Sequence, residues 1–208
     1  FIDKGYNKKN ELFFRIFDLY PEFLRYKILN LLKFLNQKKN NKKINLYLYT
    51  NNQCETTWIT YITNYIEYKL KLTKPIFNKI IYAFKIKNKR IEPNRTSHKK
   101  IHEDFINCVM IPKNTEICFI DDAFHQDMIH NKVYYIHPKA HYHGITISKI
   151  IQRFIESKVG KYCIALSTLK HNYIPFLHDW FEFNQAKKYI PKTYIYDIKK
   201  EKKTSRKI

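Results

Sequence analysis

The sequence predicts an α/β domain built on a mostly parallel sheet with helices on both faces. Three observations predict it. Short apolar runs that read as strands alternate with stretches of helical periodicity. Two of these runs stop abruptly at polar residues, Ile120 before Asp121-Asp122 and Ile136 before His137-Pro138. The 208 residues are enough for one such domain, or at most two small ones, and at this size bury roughly 70% of the unfolded surface. An apolar content of 44% against 27% charged residues excludes intrinsic disorder. No run approaches about 20 uninterrupted apolar residues, as a membrane-spanning helix requires. With only 3 Gly, the chain has neither G-x-G-x-x-G nor a Walker A loop, so the commonest nucleotide cradles are excluded.

The elements follow in order. Pro21 with Leu24, Ile28, Leu31, Leu32 and Leu35 predicts a helix with proline near its start, ending in the polar run Asn36 to Lys43. Ile44 to Thr50 predicts a strand, and Ile59, Ile62, Ile66 and Leu70 predict a helix over Cys54 to Lys71, with Trp58 and the neighbouring tyrosines in the core. Ile76 to Ile86 is a short apolar stretch followed by the polar segment Lys87 to His98, and a helix is expected over Lys99 to Cys108. Glu116 to Ile120 reads as a strand buried on both faces, and Val133 to Ile136 as another. Ile147, Ile150, Ile151, Phe154 and Ile155 form a helical stripe closed by Gly160. The remainder predicts one or two helices up to residue 190, so that residues 1–190 make a single domain, with a flexible basic tail over 191–208.

Four cysteines without C-x-x-C spacing suggest buried, reduced thiols. No charged-then-apolar leader opens the sequence, and an intracellular, non-secreted, non-membrane protein is the expectation. The formal charge of +21 has two readings. A polyanion or acidic substrate would attract it. A compositional bias toward Lys, Ile, Asn and Tyr would produce it without any partner. The densest runs, Lys38 to Lys43, Lys85 to Arg90 and Lys199 to Lys207, fall in expected loops and the tail, where solvated charge is the default.

In open parallel sheets, ligands bind outside the carboxyl ends of the strands. Two such ends carry notable residues. Thr50-Asn51-Asn52 sets a hydroxyl and two amides where a strand gives way to a helix, suited to donating hydrogen bonds to phosphate oxygens. Asp121-Asp122 sets two carboxylates at a strand tip, which repel unless a cation neutralises them. Between the two in sequence lies Arg95-Thr96-Ser97-His98-Lys99-Lys100, a source of donors and positive charge. The histidines His130, His137, His141 and His143 lack the accompanying ligands of a zinc site.

The segments Leu19 to Arg25, Tyr49 to Gln53, Arg95 to Lys100, and Cys118 to Asp122 with His125 and Met128 resemble, in that order, motifs of the haloacid dehalogenase (HAD) superfamily. The resemblance is closest to phosphatases related to the polymerase C-terminal-domain phosphatases, and to phosphatase-like proteins of large DNA viruses. It runs from about residue 10 to about residue 158, and it implies a Rossmann-like three-layer fold. By it, Thr50 and Asn51 would bind the phosphoryl oxygens. Lys100, in register with the family lysine ahead of Asp104-Phe105, would neutralise the phosphorylated nucleophile. Asp121 and Asp122 would divide Mg²⁺ ligation and lysine positioning, which makes Lys100 and Asp121 the catalytic pair, and Arg95 and His125 would orient substrate. The resemblance also implies two in-line displacements through an aspartyl phosphate, on a phosphoprotein or another phosphomonoester. The family's nucleophile motif, Asp-x-Asp-x-Thr, is absent from these residues, and the expectation is that it precedes Phe1 on a first strand. Two alternatives stand beside this reading: a catalytically inactive module of the same fold binding nucleic acid through its basic surface, and a polynucleotide-end phosphatase.

Overall fold

Tyr47, Leu48 and Tyr49 carry the bulky side chains that suit a pleated backbone, and they form the first strand of a parallel pair. The computed structural model describes residues 8–166. Its elements in order are α1 (Lys8–Phe17), α2 (Ile28–Asn40), β1 (Tyr47–Tyr49), α3 (Thr56–Lys69), β2 (Lys79–Ile81), β3 (Lys85–Ile86) and β4 (Lys89–Arg90). After these come α4 (His102–Val109), β5 (Ile117–Ile120), β6 (Val133–Ile136), α5 (Ile147–Glu156) and α6 (Lys158–Leu166). The chain is mixed α/β with short, mostly parallel strands, and no barrel closes among the described residues. The helices expected over 167–190 and the tail over 191–208 lie outside the described residues. Contacts divide the chain into two units, one of them Leu29–Ala140 and the other, within the described residues, 8–28 with 141–166.

In the first unit, β1 and β2 run parallel with Tyr47 opposite Lys79, and α3 makes the crossover that a parallel pair requires. The buried carboxylate of Glu67 on α3 accepts from the Ile76 N–H at 3.0 Å and so fixes the return toward β2. β5 and β6 are also parallel, with Ile117 opposite Val133, while β3 and β4 form an antiparallel hairpin. The continuous sheet expected from the sequence is therefore replaced by three two-stranded sheets: β1 pairs only with β2 and β5 only with β6, so each keeps one edge without a strand among the described residues. One apolar core nevertheless unites both parallel pairs, built from Tyr49, Ile81, Ile117 and Phe119 on the strands, Phe105, Ile106 and Cys108 on α4, and Met128. Burial pushes the Cys108 thiol up to about 11, aided by the nearby Glu92 charge, so it packs as an apolar group.

Several expectations are corrected here. β5 is not buried on both faces: Ile117 and Phe119 point inward, whereas Cys118 and Ile120 are exposed, as are Tyr134 and Ile136 on β6. Trp58 is 43% exposed, because α3 turns Ile59, Thr63 and Glu67 to the interior instead. Of the four cysteines only Cys108 is buried, and Cys54 and Cys118 are exposed. Pro21 opens a single 3-10 turn, after which Leu24 is extended and Lys27 left-handed, so α2 starts only at Ile28. Lys42, Lys71, Lys87, Asn88 and Met110 also take positive φ, which costs a non-glycine residue roughly 1–2 kcal/mol. A chain this poor in glycine places lysine and asparagine where turns ordinarily use it.

In the second unit, Arg153 on α5 grips both carboxylate oxygens of Glu22 at 2.7 and 2.8 Å and donates to the Leu19 carbonyl at 3.1 Å. The Tyr20 hydroxyl donates to the Ile150 carbonyl at 2.7 Å. The Leu19 to Arg25 segment is thereby tied to α5. Gly160 does not close α5, which ends at Glu156; Ser157 then caps α6 by accepting from the Gly160 N–H at 2.9 Å. A Cβ on Gly160 would meet the Phe154 carbonyl oxygen at 1.7 Å, backbone that has no side-chain freedom to yield. Gly160→Ala is expected to destabilise this unit by roughly 1–3 kcal/mol through overpacking. A melting temperature equal to wild type in circular dichroism would contradict that approach.

Candidate functional site

The Arg95 to Lys100 segment organises the carboxyl ends of β1 and β2. Arg95 is 0% exposed, and its two terminal nitrogens make five hydrogen bonds. Nη1 donates to the carbonyls of Thr50 at 3.0 Å and Tyr82 at 2.8 Å. Nη2 donates to Asn51 Oδ1 at 2.6 Å and to the carbonyls of His98 at 3.2 Å and Lys99 at 2.8 Å. The guanidinium also lies 4.7 Å from the centroid of the Tyr49 ring, a cation–π contact. Arg95 was expected to orient substrate. Fully enclosed, it instead fastens the loop after β1, the end of β2 and the approach to Lys100 to one another. Asp104, in the first turn of α4 and 1% exposed, steadies the same segment by accepting from the Thr96 N–H at 3.0 Å and from the Thr96 hydroxyl.

This anchoring decides which groups the loop presents. Because Arg95 has only donors, the Asn51 atom facing it must be the oxygen, so the Asn51 Nδ2 donors turn the other way. Thr50 Oγ1 accepts from the Asn52 N–H at 3.0 Å, which leaves its own proton to donate. Thr50 and Asn51 are both half-buried, so the loop offers a hydroxyl and an amide donor at the carboxyl end of β1.

Lys100 ends the segment. Its ammonium lies 5.7 Å from the Tyr49 ring centroid and 5.8 Å from that of Phe119, between the ends of β1 and β5. It pairs directly with Asp121 Oδ2, and each of these two side chains is 11% exposed. Asp121 Oδ1 accepts from the Ala123 N–H at 2.8 Å and faces His125 Nε2 at 3.5 Å. Burial disfavours the Asp121 carboxylate, but the hydrogen bonds from Lys100 and Ala123 and the nearby charges outweigh it, and its pKa falls below the ordinary value. Lys99, by contrast, is exposed and stands 3.3 Å from Asp127. Lys100, Asp121 and His125 thus meet at the carboxyl end of β5, while Thr50 and Asn51 follow the carboxyl end of β1, where Tyr49 and Arg95 link the two.

Other residues that hold this arrangement gave no sign in the sequence. The Tyr135 hydroxyl donates to the Ala123 carbonyl at 2.8 Å and accepts from the His125 N–H at 3.0 Å, which pins the loop after Asp121. The Tyr49 hydroxyl accepts from the Ile101 N–H at 3.3 Å, and burial raises its pKa to about 12. The ring of His102 at the start of α4 stacks on that of His130 at 4.1 Å. Only the pairing of distant residues in three dimensions makes such contacts visible, and a lone Tyr or His in sequence does not signal them.

The two adjacent carboxylates differ in their fitness for Mg²⁺. Asp121 is committed to Lys100 and Ala123, whereas Asp122 is exposed and, among the described residues, engages through its backbone carbonyl alone, 3.0 Å from His137 Nε2. Mg²⁺ is ordinarily held by one or two carboxylates together with water and phosphate oxygens. Asp122 fits as one such carboxylate. Among the described residues no group of three or more His, Cys, Asp or Glu side chains converges as metal ligands. Among the same residues no helix is long and apolar enough to cross a membrane.

No protein-family model matches the chain, and neither a curated protein nor a solved structure matches it.

Proposed function

We propose that residues 29–140 carry the phosphoryl site of a HAD-type, Mg²⁺-dependent phosphohydrolase acting on a phosphomonoester. The observation that carries this reading is the position of Lys100, paired with Asp121 and lying against the rings of Tyr49 and Phe119 between the ends of β1 and β5, the first of which leads into Thr50 and Asn51. A doubly charged tetrahedral anion needs what these residues supply: a fixed cation, an amide and a hydroxyl donor, in a partly dehydrated setting where each is worth more than in water. Asp121 acts as the positioning residue. It holds the flexible lysine in one place, while Lys100 Nζ retains hydrogens for phosphoryl oxygens.

Phosphoryl transfer depends mainly on positioning and on stabilising charge spread over the equatorial oxygens. Lys100, Asn51 Nδ2 and the Thr50 hydroxyl would supply that stabilisation, and Asp122 would hold Mg²⁺, whose part when bound is to neutralise further charge on the phosphoryl group. His125, within reach of Asp121, would orient the substrate. These 208 residues contain no Asp-x-Asp-x-Thr. The reading assigns the attacking carboxylate to a strand outside them, for which β1 and β5 each keep an edge unpaired among the described residues.

The test is to express the product of the reading frame extended upstream of Phe1 and to measure phosphate release from an aryl phosphate with and without Mg²⁺. Metal-dependent turnover that falls by at least 100-fold in Lys100→Ala and in Asp122→Ala is expected, in keeping with loss of one electrostatic stabiliser. An intact Asp-x-Asp-x-Thr without activity, or full activity in Asp122→Ala, would refute the reading.

A further inference from the structure

We propose that the stacked rings of His102 and His130 form a proton-operated clasp: while neutral they hold the start of α4 against the loop between β5 and β6, and in mild acid they release it. The clasp goes beyond the phosphoryl-site reading and does not depend on what that site binds.

The position of the two rings comes first. Residues 99–102 run beside residues 121–130 and meet them through three side-chain contacts. Lys99 Nζ stands 3.3 Å from Asp127, Lys100 pairs with Asp121, and the His102 ring lies 4.1 Å from the His130 ring with 11° between their planes. Both rings are carried on fixed supports, because Phe105, Ile106 and Cys108 anchor α4 in the core and the fully buried Met128 anchors the loop. The Lys99–Asp127 pair is exposed and contributes little. Ordinary carboxylates and lysines keep their charge between about pH 5 and about pH 8, whereas an imidazole changes its own. The stack is therefore the link of the three that a proton can alter in this range.

Each ring has a nitrogen at which a proton is unwelcome. His130 Nδ1 accepts from the Lys132 N–H at 3.1 Å, so a proton added there would face another donor and break the bond. His102 Nε2 is enclosed and has no hydrogen-bond partner among the described residues, so a proton there would find no acceptor. His102 is also the first residue of α4, where the helix dipole disfavours a cation. Charging both rings would set two like charges on rings 4.1 Å apart. The acids in the neighbourhood are engaged elsewhere. Glu103 is exposed and lies 3.9 Å from Lys113 Nζ, Asp104 accepts from Thr96, Asp127 faces Lys99, and Glu116 faces Lys132 Nζ at 3.8 Å. Burial and the facing His130 accordingly hold His102 below its ordinary value, against the pull of Glu103.

The direction of the response follows. The opened segment binds the proton more readily than the closed one, so the clasp is at full strength above the ordinary histidine value of about 6.5 and weakens as the pH falls below it. At about pH 5.5 an ordinary imidazole favours the open form by up to about tenfold. Lys100 immediately precedes Ile101 and His102, so release loosens the segment that carries it.

Hydrogen exchange read by mass spectrometry on the full 208-residue chain tests the clasp. Peptides covering 99–106 and 126–133 are followed at about pH 7.5 and about pH 5.5, with rates corrected for intrinsic exchange. Wild type is compared with His102→Phe/His130→Phe, which keeps two rings to stack but takes no proton on either. Exchange in both segments of wild type is expected to speed up by as much as about tenfold at the lower pH, while that of the double variant stays unchanged. A second measurement is the ring C–H titration of His102 by NMR. In His130→Phe its midpoint should rise by about one pH unit, the coupling at which two groups titrate as a pair. Equal protection of wild type at both pH values, the same acid response in the double variant, or a His102 midpoint indifferent to His130 overturns the clasp. The remaining histidines are common to all the proteins compared. Should the double variant melt below wild type at neutral pH, His130→Phe, altered only at an exposed loop position, replaces it, and its acid response must then be smaller than that of wild type.

Discussion

Arg95→Ala is expected to be the most damaging single substitution in the first unit. It removes a guanidinium that is wholly enclosed and strands five acceptors, four of them backbone carbonyls. Each buried acceptor left unmade costs about 1–3 kcal/mol, although neighbouring groups relax enough that the sum is not additive. A loss of about 4 kcal/mol or more is expected, on the scale of a whole domain's stability of about 5–15 kcal/mol. Arg95→Lys keeps the charge but offers three donors on a flexible stem, which cannot reach acceptors spread around a planar fork. It should lose less than the alanine variant and still melt below wild type by roughly 5–10 °C. Urea denaturation followed by tryptophan fluorescence measures both. A lysine variant as stable as wild type would mean that the five bonds do not hold the loop, and the orientation of Asn51 would lose its cause.

Lys100→Met is the second large effect, and its sign depends on pH. In the wild type, Asp121 titrates below its ordinary value of about 3.9. The stability it contributes is therefore fully present above that value and is lost as the pH falls through the lowered one. In Lys100→Met the carboxylate keeps its partial burial but loses its counter-ion, so its pKa rises. The variant should be less stable than wild type by roughly 2–3 kcal/mol at pH 7, between the figures for exposed and for buried pairs. The gap should close as the pH drops toward 3, where the variant's neutral carboxyl needs no partner and the wild type is losing its own. Lys100→Met/Asp121→Asn should recover much of the neutral-pH loss, since no charge is then left unpaired. A gap that stays constant from pH 7 to pH 3 would show that Lys100 contributes only packing.

Much of this arrangement was legible in the sequence because it follows chain-local rules. The βα unit around Thr50 is read from strand composition followed by helical spacing, and β6 over Val133–Ile136 falls where its apolar run ends at His137-Pro138. The donors at Thr50 and Asn51 and the carboxylates at Asp121-Asp122 stand out because polar residues cluster at the tips of apolar runs. The failures share one cause, which is that a side chain's environment depends on distant partners. Trp58 lies on an apolar-looking helix, yet α3 is rotated by the demands of Ile59 and Glu67. Cys118 and Ile120 make β5 look enclosed on both faces, but enclosure needs a second layer that no local pattern specifies. Arg95 looks like a surface cation among lysines and is buried because five oxygens from three separate stretches of the chain happen to surround it. The hairpin at Lys85 to Arg90 gives only the signal of a solvated loop, because its antiparallel pairing spans two rungs, too short for periodicity to register.

The central claim is that Thr50, Asn51 and Lys100 act together on one tetrahedral anion. Isothermal titration calorimetry of inorganic phosphate against the wild type, Lys100→Gln, Asn51→Leu and Lys99→Gln tests it most directly. The account predicts that phosphate binds the wild type and Lys99→Gln alike, and that affinity falls about tenfold or more in Lys100→Gln and in Asn51→Leu, matching loss of one hydrogen bond to a charged group. Equal affinity in all four proteins, or a loss confined to Lys99→Gln, would contradict it.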